Sequence, residues 1–244
     1  MSKVVTTTLL PAVVGGTVTL GGTGDSVVVT GNDIRTNILQ DAGGNAVFTS
    51  NGSGVLSGVN SGLSGGMTLI QSQTASNTAN ISFTTGIDST YDVYIFKFMD
   101  IGTSVDGPDF QMAASTDGGT SYGVTKTTTA FRAHHNEADN AQELTYQTGW
   151  DQAQSTNAPT LVVGINDDAD AVASGEVTLY GPSSTTFVKH FYGVSQEYEY
   201  SNYSQQQFIS GYYNTTSAIN AIKFQMTSGN ILTGTIKLYG ISKS

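Results

Sequence analysis

Short runs of Val, Ile, Thr, Tyr and Phe recur along this 244-residue chain, each bounded by Gly, Asn or Ser, and scarcely any window has a helical period. That pattern constrains the fold more than any other feature. β-branched and aromatic side chains pack well on a pleated surface, while Gly and Asn accept the backbone angles of tight turns. Candidate strands lie at 81–83, 91–99, 110–114, 121–125, 128–131, 144–146, 161–165, 177–180, 186–192, 207–213, 222–226 and 235–241. So many short strands at close spacing predict an all-β protein whose main domain is an antiparallel β-sandwich or jelly roll. The stretch 91–99 is apolar on both faces apart from Asp92 and Lys97, as expected of a central strand. Thr116-Asp117-Gly118-Gly119, between 110–114 and 121–125, predicts a hairpin turn because Gly supplies positive φ at little cost. The segment GEVTLYG at 175–181 is echoed by GTIKLYG at 234–240. The echo predicts two equivalent strands, with Val177/Ile236 and Leu179/Leu238 on one face and Thr178/Lys237 and Tyr180/Tyr239 on the other.

Composition divides the chain near Gly66. Residues 1–66 hold 14 glycines, one aromatic (Phe48) and five charges: Lys3, Asp25, Asp33, Arg35 and Asp41. Short strands are expected at 17–20, 27–30, 34–39, 46–48 and 55–56, but no window has the apolar side chains to close a core alone. Residues 1–66 therefore read as a Gly-rich N-terminal arm or thin β-stalk that needs partners. Residues 67–244 read as the sandwich domain and contain all 12 tyrosines and Trp150.

Only 11% of the residues are charged, 19 acidic against 9 basic, for a net charge of -10. Binding phosphates takes clustered Lys and Arg, and here the basic residues are scattered. Nucleic acid is not an expected partner, nor is an anionic membrane. The chain has no cysteine, hence no disulfide framework and no thiolate metal site. The apolar run 9–14 is interrupted by Pro11 and too short for a signal-peptide core, and no stretch approaches the ~18 apolar residues of a membrane span. Neither secretion nor membrane insertion is expected.

Residues of the types that do chemistry do not fall into patterns that support it. His134 and His135 are adjacent, near Glu137 and Asp139; on a strand they would point to opposite faces, and an exposed polar loop is expected. GLSGG at 62–66 formally matches GxSxG, but it lacks the strand before and the helix after that a nucleophile elbow requires. Asn166, Asp168 and Asp170 imitate the opening of a calcium loop, yet Ala171 stands where a glycine is needed and Val177 where a glutamate is needed. They are expected to form a solvated acidic loop, as are Asp106 and Asp109. No catalytic, cofactor-binding or metal-binding residue is assigned, and the protein is not expected to be an enzyme. Tyr192, Tyr198, Tyr200, Tyr203, Tyr212 and Tyr213 crowd one stretch. Tyrosine offers rigid contact area with a polar tip, which fits core plus subunit interface and also fits a glycan-contacting surface.

Several stretches resemble a family of virion proteins of tailed phages: YDVYIFKF at 91–98, FRAHH at 131–135, GEVTLYGPSS at 175–184, TFVKH at 186–190, and SGN at 228–230 followed by GTIKLYGI at 234–241. NILQDAGGN at 37–45 is similar to short connecting repeats of phage structural proteins. The resemblance implies a β-rich fold and a place on the virion. With no coiled-coil heptads and no long shaft, the expectation is a homotrimeric capsid decoration protein (cement protein or head fibre), its arm on the major capsid protein. The alternative is a tail fibre or receptor-binding adhesin, its arm on tail proteins and its β domain on a host surface glycan.

Overall fold

The structure, a computed structural model, describes residues 38–40, 45–50, 53, 56–57, 66–199 and 201–241. Two units divide between Asn60 and Ser61. In the first, β1 (Ile38–Gln40), β2 (Ala46–Ser50) and β3 (Leu56–Ser57) form a small antiparallel sheet, with Leu39 opposite Phe48 and Thr49 opposite Ser57. Ile38 and Leu39 are exposed, so this sheet buries little of its apolar surface. The strands expected at 17–20 and 27–30 fall outside the described residues.

The second unit continues with β4 (Met67–Thr74), β5 (Asn80–Phe83), β6 (Val93–Thr103), β7 (Phe110–Ser115), β8 (Lys126–Asn136), β9 (Gln142–Tyr146) and β10 (Gln152–Ser155). It closes with β11 (Thr160–Val162), β12 (Ala173–Tyr180), β13 (Lys189–Glu199), β14 (Tyr203–Tyr213), β15 (Ala221–Met226) and β16 (Ile231–Ile241). Nine strands form one sheet in the order β10-β8-β14-β13-β12-β6-β16-β4, with β9 also on β8; four form a second sheet, β11-β7-β15-β5. Every pairing is antiparallel, and no helix occurs among the described residues. This is the expected all-β sandwich.

Phenylalanines lock the two sheets together. Phe96 and Phe98 of β6 face Phe83 of β5, Phe110 of β7 and Phe224 of β15, all essentially fully buried. Phe224 lies 5.4 Å from Phe96, 5.6 Å from Phe110 and 6.2 Å from Phe83, centroid to centroid. Edge-on and stacked rings at these separations add to the burial of their area. Strand β6 is central, as its two-sided apolar pattern predicts, and the lysine midway along it is neutralised: Lys97 Nζ is 2.8 Å from Glu176 on β12.

The internal echo has a structural basis. β12 and β16 flank β6 on either side, and Val177, Leu179, Ile236 and Leu238 are all buried in the core. The glycines that open the two copies are required for different reasons. A Cβ on Gly175 would meet Phe98 Cζ at 2.7 Å and collide with the Val194 carbonyl. Gly234 has φ +113° at a register shift beside Asp100, where L side chains are strained.

Some expectations are corrected. Gly118 and Gly119 do have positive φ, and Asp117 caps the turn by accepting hydrogen bonds from Ser115 Oγ (2.6 Å) and Ser121 N (2.9 Å). These bonds hold the Asp117 carboxyl down at about 2. Yet 121–125 is not a strand and no hairpin forms. β7 already has β11 and β15 on its two edges, so the chain passes to the other sheet as β8. The strand expected at 186–192 begins at Lys189 and runs on to Glu199, because the long β13–β14 hairpin pairs continuously from Lys189↔Tyr213 to Glu199↔Tyr203.

Candidate functional site

The large sheet covers the small one with its inner face, and its other face carries most of the exposed apolar side chains of the described residues. Alternation and register fix which residues these are. Across the strands at one level lie Met67, Ile241, Val93 and Tyr180. Two residues along, Leu69, Tyr239 and Ile95 lead through Thr178 to Tyr192. The next level holds Val194, Phe208, Phe131 and Tyr146, and beyond it Leu144 sits opposite Ala133. An apolar stripe thus runs obliquely from β4 at one edge to β9 at the other. Leu144 is 73% exposed and Tyr146 52%, and Met67, Leu69, Phe131, Tyr180 and Tyr192 are each between 39% and 50%. Phe131 stacks on Phe208 at 4.6 Å, and Tyr180 on Tyr192 at 6.0 Å.

Charge is nearly missing from this face. Among its outward-pointing strand residues only Lys97, Asp100, Glu176 and Lys237 carry formal charges, and Lys97 and Glu176 are paired. Aromatic enrichment with depletion of charge is what distinguishes the centre of a protein interface from ordinary surface.

At one border of the stripe, Tyr180, Gly181, Ser184, Phe187, Val188 and His190 line a recess of about 330 Å³, with Phe187 71% exposed. Between the β8–β9 and β13–β14 turns lies a second, of about 460 Å³, where Tyr198, Gln196 and His135 meet Ser174 and Ser204. Tyr198 Oη donates to Asn202 Oδ1 (2.7 Å) and Gln196 Nε2 to Ser204 Oγ (3.0 Å), so these side chains are fixed in advance.

The inner face beyond the hydrophobic core holds a polar seam that nothing in the sequence announced. Burial pushes the Glu197 carboxyl well above the usual glutamate range, against the bonds from Gln205 Nε2 and the Val163 backbone that favour its anion. Arg132 donates to Gln205 Oε1 at 2.7 Å and lies over the Trp150 ring at 5.2 Å. Glu197 Oε2, Arg132 Nε and both amide atoms of Gln207 are buried without a hydrogen-bond partner among the described residues. Lys126, also buried, donates to the Ser155 and Asn157 carbonyls, and burial lowers its ammonium to about 8.

The singled-out residues fall as follows. His134 and His135 lie in strand β8 rather than in a loop, and they do face opposite ways. His134 packs edge-on against Tyr203 (4.9 Å), and His135 Nε2 is 3.1 Å from Asp139. Asp168 and Asp170 are exposed, while Asn166 is buried and its Oδ1 accepts from Asp168 N in a local turn. Asp109 is not solvated as expected. It is half-buried, accepts from Gly164 N at 3.2 Å, and its carboxyl is raised by burial. Among the described residues no three His, Asp or Glu side chains are placed to share a metal ion. Of the crowded tyrosines only Tyr213 is in the core. Tyr192 is exposed, Tyr198, Tyr203 and Tyr212 are half-buried, and Tyr200 is outside the described residues, as is most of GLSGG.

The chain matches no family model, no curated protein and no solved structure.

Proposed function

We propose that this protein is a non-enzymatic structural component of a tailed-phage virion, a homotrimeric decoration protein of the capsid surface. In this reading residues 1–66 attach to the major capsid protein and residues 67–244 project as the β domain. The observation that carries the assembly part is the outer face of the nine-stranded sheet, aromatic and almost uncharged on a chain of net charge -10. The virion location rests on the sequence resemblance at 91–98, 131–135, 175–184, 186–190, 228–230 and 234–241. Counting copies per purified particle tests it: hundreds of copies fit a capsid lattice, and absence from the particle ends the proposal.

A second reading, a tail fibre or receptor-binding adhesin, is favoured by the recess around Tyr180, Phe187 and His190. Ring faces beside uncharged polar groups suit the C–H faces and hydroxyls of a glycan. A few tens of copies or fewer per particle, located at the tail, would select it.

A further inference from the structure

We infer that the oblique stripe on the outer face of the large sheet is the surface through which copies of this chain pack against each other. The inference rests on the assembly reading above and assigns it a surface. Three observations lead to a second copy as the occupant.

The first is area. Seven outward side chains of about 200 Å² each, roughly half exposed, present about 700 Å², more than the largest apolar patch of a typical monomer and close to the ~800 Å² per partner of a standard stable interface. Half-buried Val93, Ile95, Val194, Phe208 and Tyr239 widen it.

The second is charge. Two copies of a chain with 19 acidic and 9 basic residues repel wherever carboxylates face each other. The stripe is where they can meet with little of that cost, because Glu176 within it is already paired with Lys97 and the face's other carboxylate, Asp100, lies one level further along, in the recess beside Lys237.

The third is pre-organisation. The stripe is built on paired strands, with Phe131 on Phe208 and Tyr180 on Tyr192 held ring to ring, so little side-chain freedom is lost on docking.

The test compares the association of the full chain with that of Leu144→Glu, Leu69→Glu and the double variant, by sedimentation equilibrium over a range of concentrations. Leu144 and Leu69 sit near opposite ends of the stripe and are 73% and 50% exposed, so the isolated fold loses little at either site. Val105→Glu adds the same charge at an exposed residue off this face. Circular dichroism checks that each variant remains folded. The expected result is an oligomeric parent, with the midpoint concentration of association raised at least about tenfold by each stripe variant and further by the pair, and unmoved by Val105→Glu. An oligomeric parent whose folded stripe variants associate unchanged overturns this surface and leaves the assembly reading standing. A parent that is monomeric at micromolar concentration overturns both. A monomeric parent that loses particle attachment on Leu144→Glu assigns the stripe to a virion partner instead, and overturns the inference as stated.

Discussion

Replacing Phe224 by alanine removes the ring that three others share. Phe224 is fully buried on β15 and lies within 5.4 to 6.2 Å of Phe96, Phe110 and Phe83, which come from both sheets. A buried Phe→Ala change costs about 3–5 kcal/mol, and each aromatic pair adds ~0.5–1.5 kcal/mol beyond area. The terms overlap, because the cavity already counts lost contacts, so the expected loss is near the upper end, about 5 kcal/mol. At ~2–4 °C per kcal/mol for a domain of this size, the melting temperature should fall by roughly 10–20 °C. Phe224→Leu keeps most of the volume and should cost under ~1.5 kcal/mol. Thermal unfolding by near-ultraviolet circular dichroism reads the change, at one protein concentration so that association does not shift the midpoint. Phe131→Ala is the comparison: that ring stacks on Phe208 but stands 41% exposed on the outer face. If Phe224→Ala lowers the midpoint no more than Phe131→Ala does, the phenylalanine contact between the sheets is wrong.

Glu197→Gln should stabilise the protein at neutral pH and do little near pH 4. A carboxyl raised by burial contributes its stability below its unfolded range and loses it as pH climbs towards its folded value. Melting curves from pH 4 to 8 check the sign, and a gain that shrinks with rising pH refutes it. Leu238→Ala, at a fully buried position, should cost ~2–5 kcal/mol, whereas Lys237→Ala on the opposite face should leave the midpoint nearly unmoved; equal responses would mean β16 is not a core strand. Gly175→Ala should cost ~1–3 kcal/mol by overpacking against Phe98 and the Val194 carbonyl, read in the same melts. Removing residues 1–66 should leave a folded β domain that no longer attaches to particles, and a truncated chain that co-sediments normally with them contradicts the assigned role of the arm.

Strand β6 could be placed at the centre from sequence because a long run apolar on both faces is out of place at an exposed sheet edge. β12 and β16 do occupy both of its edges, although Val93 and Ile95 remain half-exposed on the outer face. The echo could be read as two equivalent strands because its apolar positions recur in step. The polar seam could not. Ser195, Glu197, Gln205 and Gln207 alternate with other polar residues, a pattern that reads as exposed, and all four are buried. β10, with its sequence Gln-Ala-Gln-Ser, is a strand only because β8 offers it an edge. The Thr116–Gly119 turn was chemically correct, but a turn specifies a reversal and not the neighbour to which the chain returns. The outer stripe escaped for a related reason. It draws its residues from eight strands between Met67 and Ile241, and only the register brings them side by side.

The position of β16 between β6 and β4 also sets a timetable. Leu69 finds its partner in Tyr239 and Phe98 finds one of its two in Ile236, so the strands made early wait for one made much later. Closing such long loops precedes any reward from the contacts they allow, which makes folding slow. During synthesis β4 has no sheet to join, and one edge of β6 stays open with its amides and carbonyls unpaired. The same ordering delays the outer stripe, whose Met67–Ile95 half exists as a surface only once Tyr239 and Ile241 are in place between its strands. The stripe is thus complete only once β16 is paired on both of its edges, so any contact made through it follows closure of the sandwich.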